Sequence, residues 1–399
     1  MVKKNIFLLV MVQVSTYIFP LLTLPYLVRI LGSYGFGFVA IYLSVIQYVT
    51  MVIDFGFSFI SVRKGAIVRD NKKELSKIYI STIVAKLIIY IVVASCCFIY
   101  ISIIDSTQYE IYIYIAIITC FFSVFDSNWL FQVIEKLTFS STLNILIKGL
   151  YVILVFSFVK NVDDIRLAIL FSSIIFAAPG VYSVIYILVN KVIVFQKISY
   201  SDVFLLIKES FDIFISNITI SLYTTLNTVI LGFLAGPVYV AYFTGADKIK
   251  SAVQGFLNPV QQAIFPRVSR LMNDGASLKE ILKIYGGKFI LFGLFLTSGL
   301  FVFGYPFIKL YLGNDFITSA KLIIILSPLP FLISVAIVLG PWWMIAQGKS
   351  KLYRKIYMQH SLLHVLYAVP LIYYMPIYGI AISILLTELL IVIRFFINR

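Results

Sequence analysis

The chain has 399 residues, 61% of them hydrophobic and only 12% charged, with a mean hydropathy of +1.02. Soluble domains are near half apolar and a quarter charged, so this composition excludes most cytoplasmic enzymes and most free nucleic-acid binders. The 32 Lys and Arg against 17 Asp and Glu leave a net charge of +15, an excess that a membrane protein must distribute by side.

In chain order, apolar runs long enough to cross a hydrocarbon core about 30 Å thick predict twelve helices, over 5–31, 36–60, 78–104, 111–134, 137–159, 165–189, 207–234, 238–265, 284–308, 320–346, 356–375 and 377–397. The runs are continuous, unlike the alternating segments of roughly 10 residues that build outer-membrane barrels. The first opens on Lys3-Lys4 like a signal peptide. Its apolar stretch is too long for one, contains Pro20 and Pro25 and lacks a small-residue cleavage site, so it reads as a retained helix. With the N-terminus inside, 22 Lys and Arg fall in cytoplasmic segments and only Lys160, Arg166, Lys309 and Lys321 on the opposite side, which predicts both termini in the cytoplasm. With the acids included, the cytoplasmic segments carry +15, the outside −1 and the bilayer interior +1. The excess charge is thus an orientation signal beside anionic headgroups.

The stretch 61–77 is among the longest loops, too short to fold alone, and no phosphate-cradling glycine motif occurs, which argues against an ATP pump. Cys96, Cys97 and Cys120 lie inside predicted spans and read as small buried apolar residues. Ile30-Leu31-Gly32 and Ile230-Leu231-Gly232 sit 200 residues apart, and Tyr42 matches Tyr242 at the same offset. With six spans per half, this suggests parallel repeats. The expected fold is an all-α polytopic membrane protein with about twelve transmembrane helices in two six-helix bundles around a central cavity. Residues 1–202 would form the N-terminal bundle with a basic cytoplasmic linker, and 203–399 the C-terminal bundle.

A charge within the lipid core costs about 2.5–3.5 kcal/mol on insertion scales, so intramembrane charges are the functional candidates. The cations are Arg29, Lys86, Lys148, Lys248, Lys250 and Lys288, and the acids Asp54, Asp126, Asp212, Asp247 and Glu388. Lys148 lies near a helix midplane, out of easy reach of either headgroup layer, and should face a polar cavity or a buried partner. Arg29 and Lys288 sit near helix ends, where snorkelling accounts for them as well. Asp247 and Lys250 are three apart and either neutralise each other or line a cavity. Asp126, Asn128 and Gln132 are spaced as one polar stripe along a helix, serving either as interhelical glue or as cavity lining. Glu388 is either a proton carrier or an acid tied to a neighbouring helix. Prolines interrupt several spans, at Pro20, Pro25, Pro179, Pro259, Pro328, Pro330, Pro341 and Pro370, and kink helices in membranes where neighbours satisfy the freed groups.

Three stretches carry a resemblance to a known family. They are Leu24-Pro25-Tyr26-Leu27-Val28-Arg29-Ile30-Leu31-Gly32 with Tyr34-Gly35-Phe36-Gly37 and Asp54-Phe55-Gly56; Trp129-Leu130-Phe131-Gln132-Val133-Ile134-Glu135-Lys136; and Gly245-Ala246-Asp247-Lys248-Ile249 with Phe265-Pro266-Arg267-Val268-Ser269. Together they resemble the Wzx-type O-antigen and lipid-linked polysaccharide flippases of the multidrug/oligosaccharidyl-lipid/polysaccharide superfamily. Leu130 and Val133 depart from the family's W-F-F-Q-G-x-E-K pattern, which puts a tight backbone role for a glycine there in doubt.

The resemblance implies a transporter that turns an undecaprenyl-pyrophosphate-linked oligosaccharide from the cytoplasmic to the periplasmic leaflet of a bacterial inner membrane. It implies no cofactor, membrane lipids as surroundings, a proton or sodium as coupling ion, and a polysaccharide polymerase and chain-length proteins as neighbours. A pyrophosphate needs cationic escort through hydrocarbon, which makes Lys148, Lys248, Lys86 and Arg29 the expected cationic cavity. Asp54, Asp126, Gln132, Asp212, Asp247, Lys250 and Glu388 are the candidates for ion coupling or polar lining. Two other readings stand beside this one: a cation-coupled multidrug exporter, and a non-transporting scaffold or integral acyltransferase. The acyltransferase would need a catalytic histidine, and His360 and His364 read instead as structural or interfacial, with too few further ligands for a metal.

Overall fold

A computed structural model describes residues 2–103 and 110–398. The side chains of Lys3, Lys4 and Arg399 lie outside the described residues. Among the described residues every regular element is helical, as lipid demands of a segment that must satisfy its own backbone groups. Eight helical stretches there are long and apolar enough to cross a bilayer, and one bent pair makes a ninth. The first, Ser15–Asp54, has 40 residues, about twice the length of a span, and joins the predicted runs 5–31 and 36–60. The predicted runs 238–265 and 356–375 are helical but fall short of that apolarity.

The chain packs as two units that interleave in sequence: Met1–Phe19 with Tyr42–Ile218, and Pro20–Ile41 with Thr219–Arg399. The helix α1 (Val2–Asp54) belongs to both. Its interior is broken at Gly32, where φ is 66°, a left-handed conformation that favours glycine. In the second half the sequence-matched Gly232 is helical, and Gly236, at φ 91°, turns the chain four residues later.

The first unit continues with α2 (Phe57–Ile67), α3 (Lys72–Ile103), α4 (Glu110–Val124), α5 (Asn128–Val133), α6 (Leu137–Phe158), α7 (Ile165–Val189) and most of α8 (Tyr200–Leu222). One apolar cluster joins Phe57, Ile60, Ala85, Val203 and Leu206, and another joins Leu75, Trp129, Leu130, Val133 and Ile187. The helix predicted over 111–134 is interrupted between Val124 and Asn128, so the expected stripe of Asp126, Asn128 and Gln132 does not form. Asp126 and Asn128 sit at the break, while Gln132 is exposed on α5. Gly180 lets α7 approach here, since a Cβ at that position would collide with the Phe122 carbonyl. Of the three cysteines only Cys120 is buried, and Cys96 is exposed on the apolar surface of α3.

The second unit adds α9 (Thr225–Ala235), α10 (Pro237–Gln254), α11 (Leu257–Asn273), α12 (Leu278–Ile281), α13 (Gly287–Leu312), α14 (Ile317–Leu326), α15 (Leu329–Leu339), α16 (Ser350–Tyr374) and α17 (Pro376–Ile397). Wider π turns occupy Leu282–Gly286 and Gly340–Ile345. Its core gathers Phe289, Ile337, Val338 and Trp342, and beside them Met344, Ile356, Ile391 and Phe395. Long apolar side chains such as Phe59, Ile91, Phe295 and Leu366 point outward, the pattern of helices whose solvent is hydrocarbon.

Candidate functional site

The polar groups of the first unit converge on a cavity of about 360 Å³ lined by Gln47, Thr50, Asp54, Ser58, Lys86 and Asp126, among others. Asp54 is the last residue of α1, where Phe55 (φ 49°) and Gly56 (φ 78°) turn the chain into α2. The turn delivers Ser58, whose hydroxyl donates to Asp54 Oδ1 at 2.5 Å. Lys86, only 2% exposed on α3, places Nζ 2.9 Å from the same Oδ1 and donates to the Asp126 backbone carbonyl at 3.2 Å. Asp126 Oδ1 in turn accepts from the backbone N–H and the side-chain amide of Asn128, at 3.0 and 2.8 Å, an Asx turn that holds the helix break open. Tyr182 on α7 donates to Asn128 Oδ1 at 3.0 Å.

Lys86 is therefore held between a carboxylate and a carbonyl, and does not offer an unpaired positive charge to the cavity. Separating such a pair leaves a charge poorly solvated, which typically costs 3–5 kcal/mol. Lys148 is different. It lies half-buried on α6, its Nζ donates to the Thr16 hydroxyl at 3.0 Å, and no carboxylate pairs with it among the described residues. Arg29 and Lys248 are exposed and likewise lack an acidic partner among the described residues, Arg29 donating to the Tyr311 carbonyl at 3.4 Å. Lys250 and Asp247 pair at 2.7 Å along α10. Asp212 is exposed on α8 with no ion pair among the described residues.

The Trp129–Lys136 stretch is a packing and turn element. Trp129, Leu130, Phe131 and Val133 are buried, and Glu135, at φ 58°, pairs with Arg69. The glycine of this contact lies on the opposite helix: a Cβ at Gly65 would press on Val133 at 3.1 Å. The bulky Val133 is accommodated because Gly65 of α2 leaves the space.

The second unit holds a polar network that the spacing of residues did not suggest. His364 on α16 is fully buried. Its Nε2 lies 2.8 Å from Asn227 Oδ1 on α9, and its Nδ1 lies 2.6 Å from Thr387 Oγ1 on α17. Tyr367 reaches the same Thr387 hydroxyl at 2.5 Å, and Thr387 also lies 2.7 Å from the Ser383 carbonyl. Glu388, the next residue, is 7% exposed and makes no hydrogen bond or ion pair among the described residues. The partners come from positions 227, 364 and 387, too far apart for any local motif; a fully buried histidine on a three-helix contact was the only available signal, and it needs helix rotation to be seen.

Apolar helices long enough to cross a bilayer, with charges buried among them, are the architecture of a multi-pass membrane protein, and solved transporters share the fold. The chain superposes on a lipid II flippase MurJ in an inward closed conformation with a TM-score of 0.72 at 13% identity, covering 98% of this chain and 87% of that one. It superposes on an inward-facing multidrug resistance MATE family transporter of the MOP superfamily with a TM-score of 0.69 at 12% identity, covering 95% and 93%. Residues 2–272 match the polysaccharide biosynthesis protein family, and the chain belongs to that family. Two curated relatives bear the name "Putative O-antigen transporter": one from Shigella dysenteriae, 33% identical over 98% of both chains, and one from Escherichia coli K12, 31% identical over 98% of this chain and 94% of its own. The chain is accordingly a membrane transporter and not an enzyme, which excludes the acyltransferase.

Proposed function

We propose that the protein moves an undecaprenyl-pyrophosphate-linked oligosaccharide, the O-antigen repeat unit, from the cytoplasmic to the periplasmic leaflet of the bacterial inner membrane, by alternating access and with both termini in the cytoplasm. The observation that carries the reading is the 33% identity to a relative named as an O-antigen transporter along 98% of both chains. The side-chain chemistry is compatible with it. A pyrophosphate cannot cross hydrocarbon unescorted, and Lys148, Lys248 and Arg29 are cations with no carboxylate partner among the described residues. Lysine meets phosphate as a point charge and arginine as a bidentate fork, so two lysines and one arginine suit transient holding. Lys86 joins them only when Asp54 releases it. Asp54, Asp126, Asp247 and Glu388 are the acids available to a coupling ion, a proton or sodium. Gln132, Asp212 and Lys250 are assigned to polar lining.

The test is complementation of a strain that makes the lipid-linked unit but lacks its own flippase. Restored surface polysaccharide supports the proposal. A membrane-inserted protein that restores none, and instead confers drug resistance on a sensitised host, supports the multidrug exporter. The observation that favours that second reading is the pair of carboxylates on one cavity, Asp54 and Asp126, which would suit a cationic cargo.

A further inference from the structure

Hydrogen counting around Thr387 singles out a proton-binding site in the second unit. Asn227 Nδ2 donates to the Tyr223 carbonyl at 2.9 Å, which turns Asn227 Oδ1, an acceptor, toward His364. Nε2 of His364 must then carry a hydrogen. On the other edge of the ring, Thr387 Oγ1 stands within 2.7 Å of three groups: His364 Nδ1, the Tyr367 hydroxyl and the Ser383 carbonyl. A hydroxyl has one hydrogen to give and two lone pairs to receive with. The Ser383 carbonyl can only accept, so it takes the Thr387 hydrogen, and the lone pairs receive one hydrogen from Tyr367 and one from Nδ1. All three contacts are hydrogen bonds only when both ring nitrogens are protonated.

We propose that His364 is a proton-binding site of the transport cycle, switched between two hydrogen-bond patterns by rotation of the Thr387 hydroxyl. In the charged state Nε2–H donates to Asn227, Nδ1–H donates to Thr387, and Thr387 donates to Ser383. Loss of the Nδ1 proton leaves a neutral ring with its hydrogen on Nε2, and the Thr387 hydrogen swings from Ser383 to Nδ1. One proton and one positive charge leave, and no heavy atom has to move. The elements packed against α16 are α17, α9 and Gly340–Ile345. From α17 the titratable or charged groups are Glu388, beside Thr387, Tyr378 near the start of the helix and Arg394 near its end, which faces His360. Tyr223, in the break between α8 and α9, has its ring 6.3 Å from the imidazole, and Tyr367 of α16 has its ring at 5.5 Å. Gly340–Ile345 contributes no titratable side chain. His360, Tyr353 and Tyr357 lie farther along α16, and Lys250 on α10 pairs with Asp247 and also faces Glu388.

The coupling role rests on the transport reading above, while proton binding does not, and the test separates them. The chain has two histidines, so an H360Q protein with isotopically labelled histidine reports one imidazole. Solid-state NMR in vesicles of phosphatidylethanolamine and phosphatidylglycerol, without substrate, should show both ring nitrogens protonated at the acid end of a titration from about pH 3 to about pH 8. The Nδ1 proton should be lost within that range and the titration should be unmoved by sodium. Should H360Q fail to fold, wild-type spectra compared with H364N assign the same signals. T387V keeps the ring but removes the rotating hydroxyl, and should hold the ring in one tautomer throughout. A wild-type ring in one tautomer at every pH, or one that responds to sodium instead, overturns the site. In cells, H364N should lose the dependence of polysaccharide export on the proton gradient. H364N export that equals wild type and collapses identically with a protonophore overturns the coupling role, whereas a wild-type protein that exports nothing refutes the transport reading and leaves the NMR result standing.

Discussion

Replacing Lys86 by methionine removes the ammonium that Asp54 faces while keeping most of the apolar stem. The Lys86 side chain is 3% exposed and that of Asp54 34%, so the lost pair sits at the edge between a buried and a cavity-facing environment. Breaking a fully buried pair costs about 3–5 kcal/mol. Asp54 keeps the Ser58 hydroxyl and cavity access, which reduces the expected loss to about 2–3 kcal/mol. The Asp126 carbonyl loses its donor as well, worth about 1 kcal/mol. For a chain this long, with about 2 °C of Tm per kcal/mol, thermal unfolding of purified K86M in detergent should fall by roughly 6 °C. The double variant D54N/K86M no longer leaves an unpaired carboxylate and should recover about half of that. An unchanged Tm for K86M, or a double variant no more stable than K86M, would refute the claim that Lys86 is committed to Asp54.

Gly180→Ala should destabilise by at least 1–3 kcal/mol, the usual range for overpacking, because its methyl meets the Phe122 carbonyl; lower yield of folded protein and a lower Tm check this. Asp202 accepts the Ser199 N–H at 2.8 Å and pairs with Lys77 at 3.0 Å, and these two contacts hold its carboxyl below the usual range. Its folded value is depressed, so its contribution, under about 1 kcal/mol for a partly exposed pair, is present above the unfolded value and lost as pH falls through the folded one. D202N should therefore lower Tm slightly at neutral pH and by nothing at strongly acidic pH. Lys148→Ala and Lys248→Ala should each reduce export and together abolish it, with the protein still present in the membrane. A double variant exporting at wild-type levels removes them from the site.

Much of the helix plan was legible because continuous apolar runs register length directly, and a change of helix direction hides little from that signal. The exceptions have local causes. Gly32 breaks α1 without ending it, so two predicted spans appear as one 40-residue stretch. Asp126 and Asn128 looked like one helical face, but the Asx turn between them ends the helix. Which charges meet depends on helix rotation and on partners far away in sequence. The Asp247–Lys250 pair was visible because it is three residues apart on one helix. Lys86 lines the cavity as read, but its pairing was hidden because its partner Asp54 lies on another helix, and the His364 network escaped notice because Asn227 and Thr387 are 137 and 23 residues away. The second member of the apparent repeat, Gly232, stays inside its helix, which runs on to Ala235 before the turn at Gly236.

The most direct test of the central claim is a leaflet-exchange measurement. Purified protein would be reconstituted into vesicles carrying the undecaprenyl-pyrophosphate-linked oligosaccharide, with a glycosidase added outside and an imposed proton gradient. The account predicts that protein-containing vesicles expose the initially protected fraction of sugar, and that vesicles with the K148A/K248A double variant do not. Protected sugar that stays protected with a correctly folded wild-type protein, under either direction of the gradient, would contradict it.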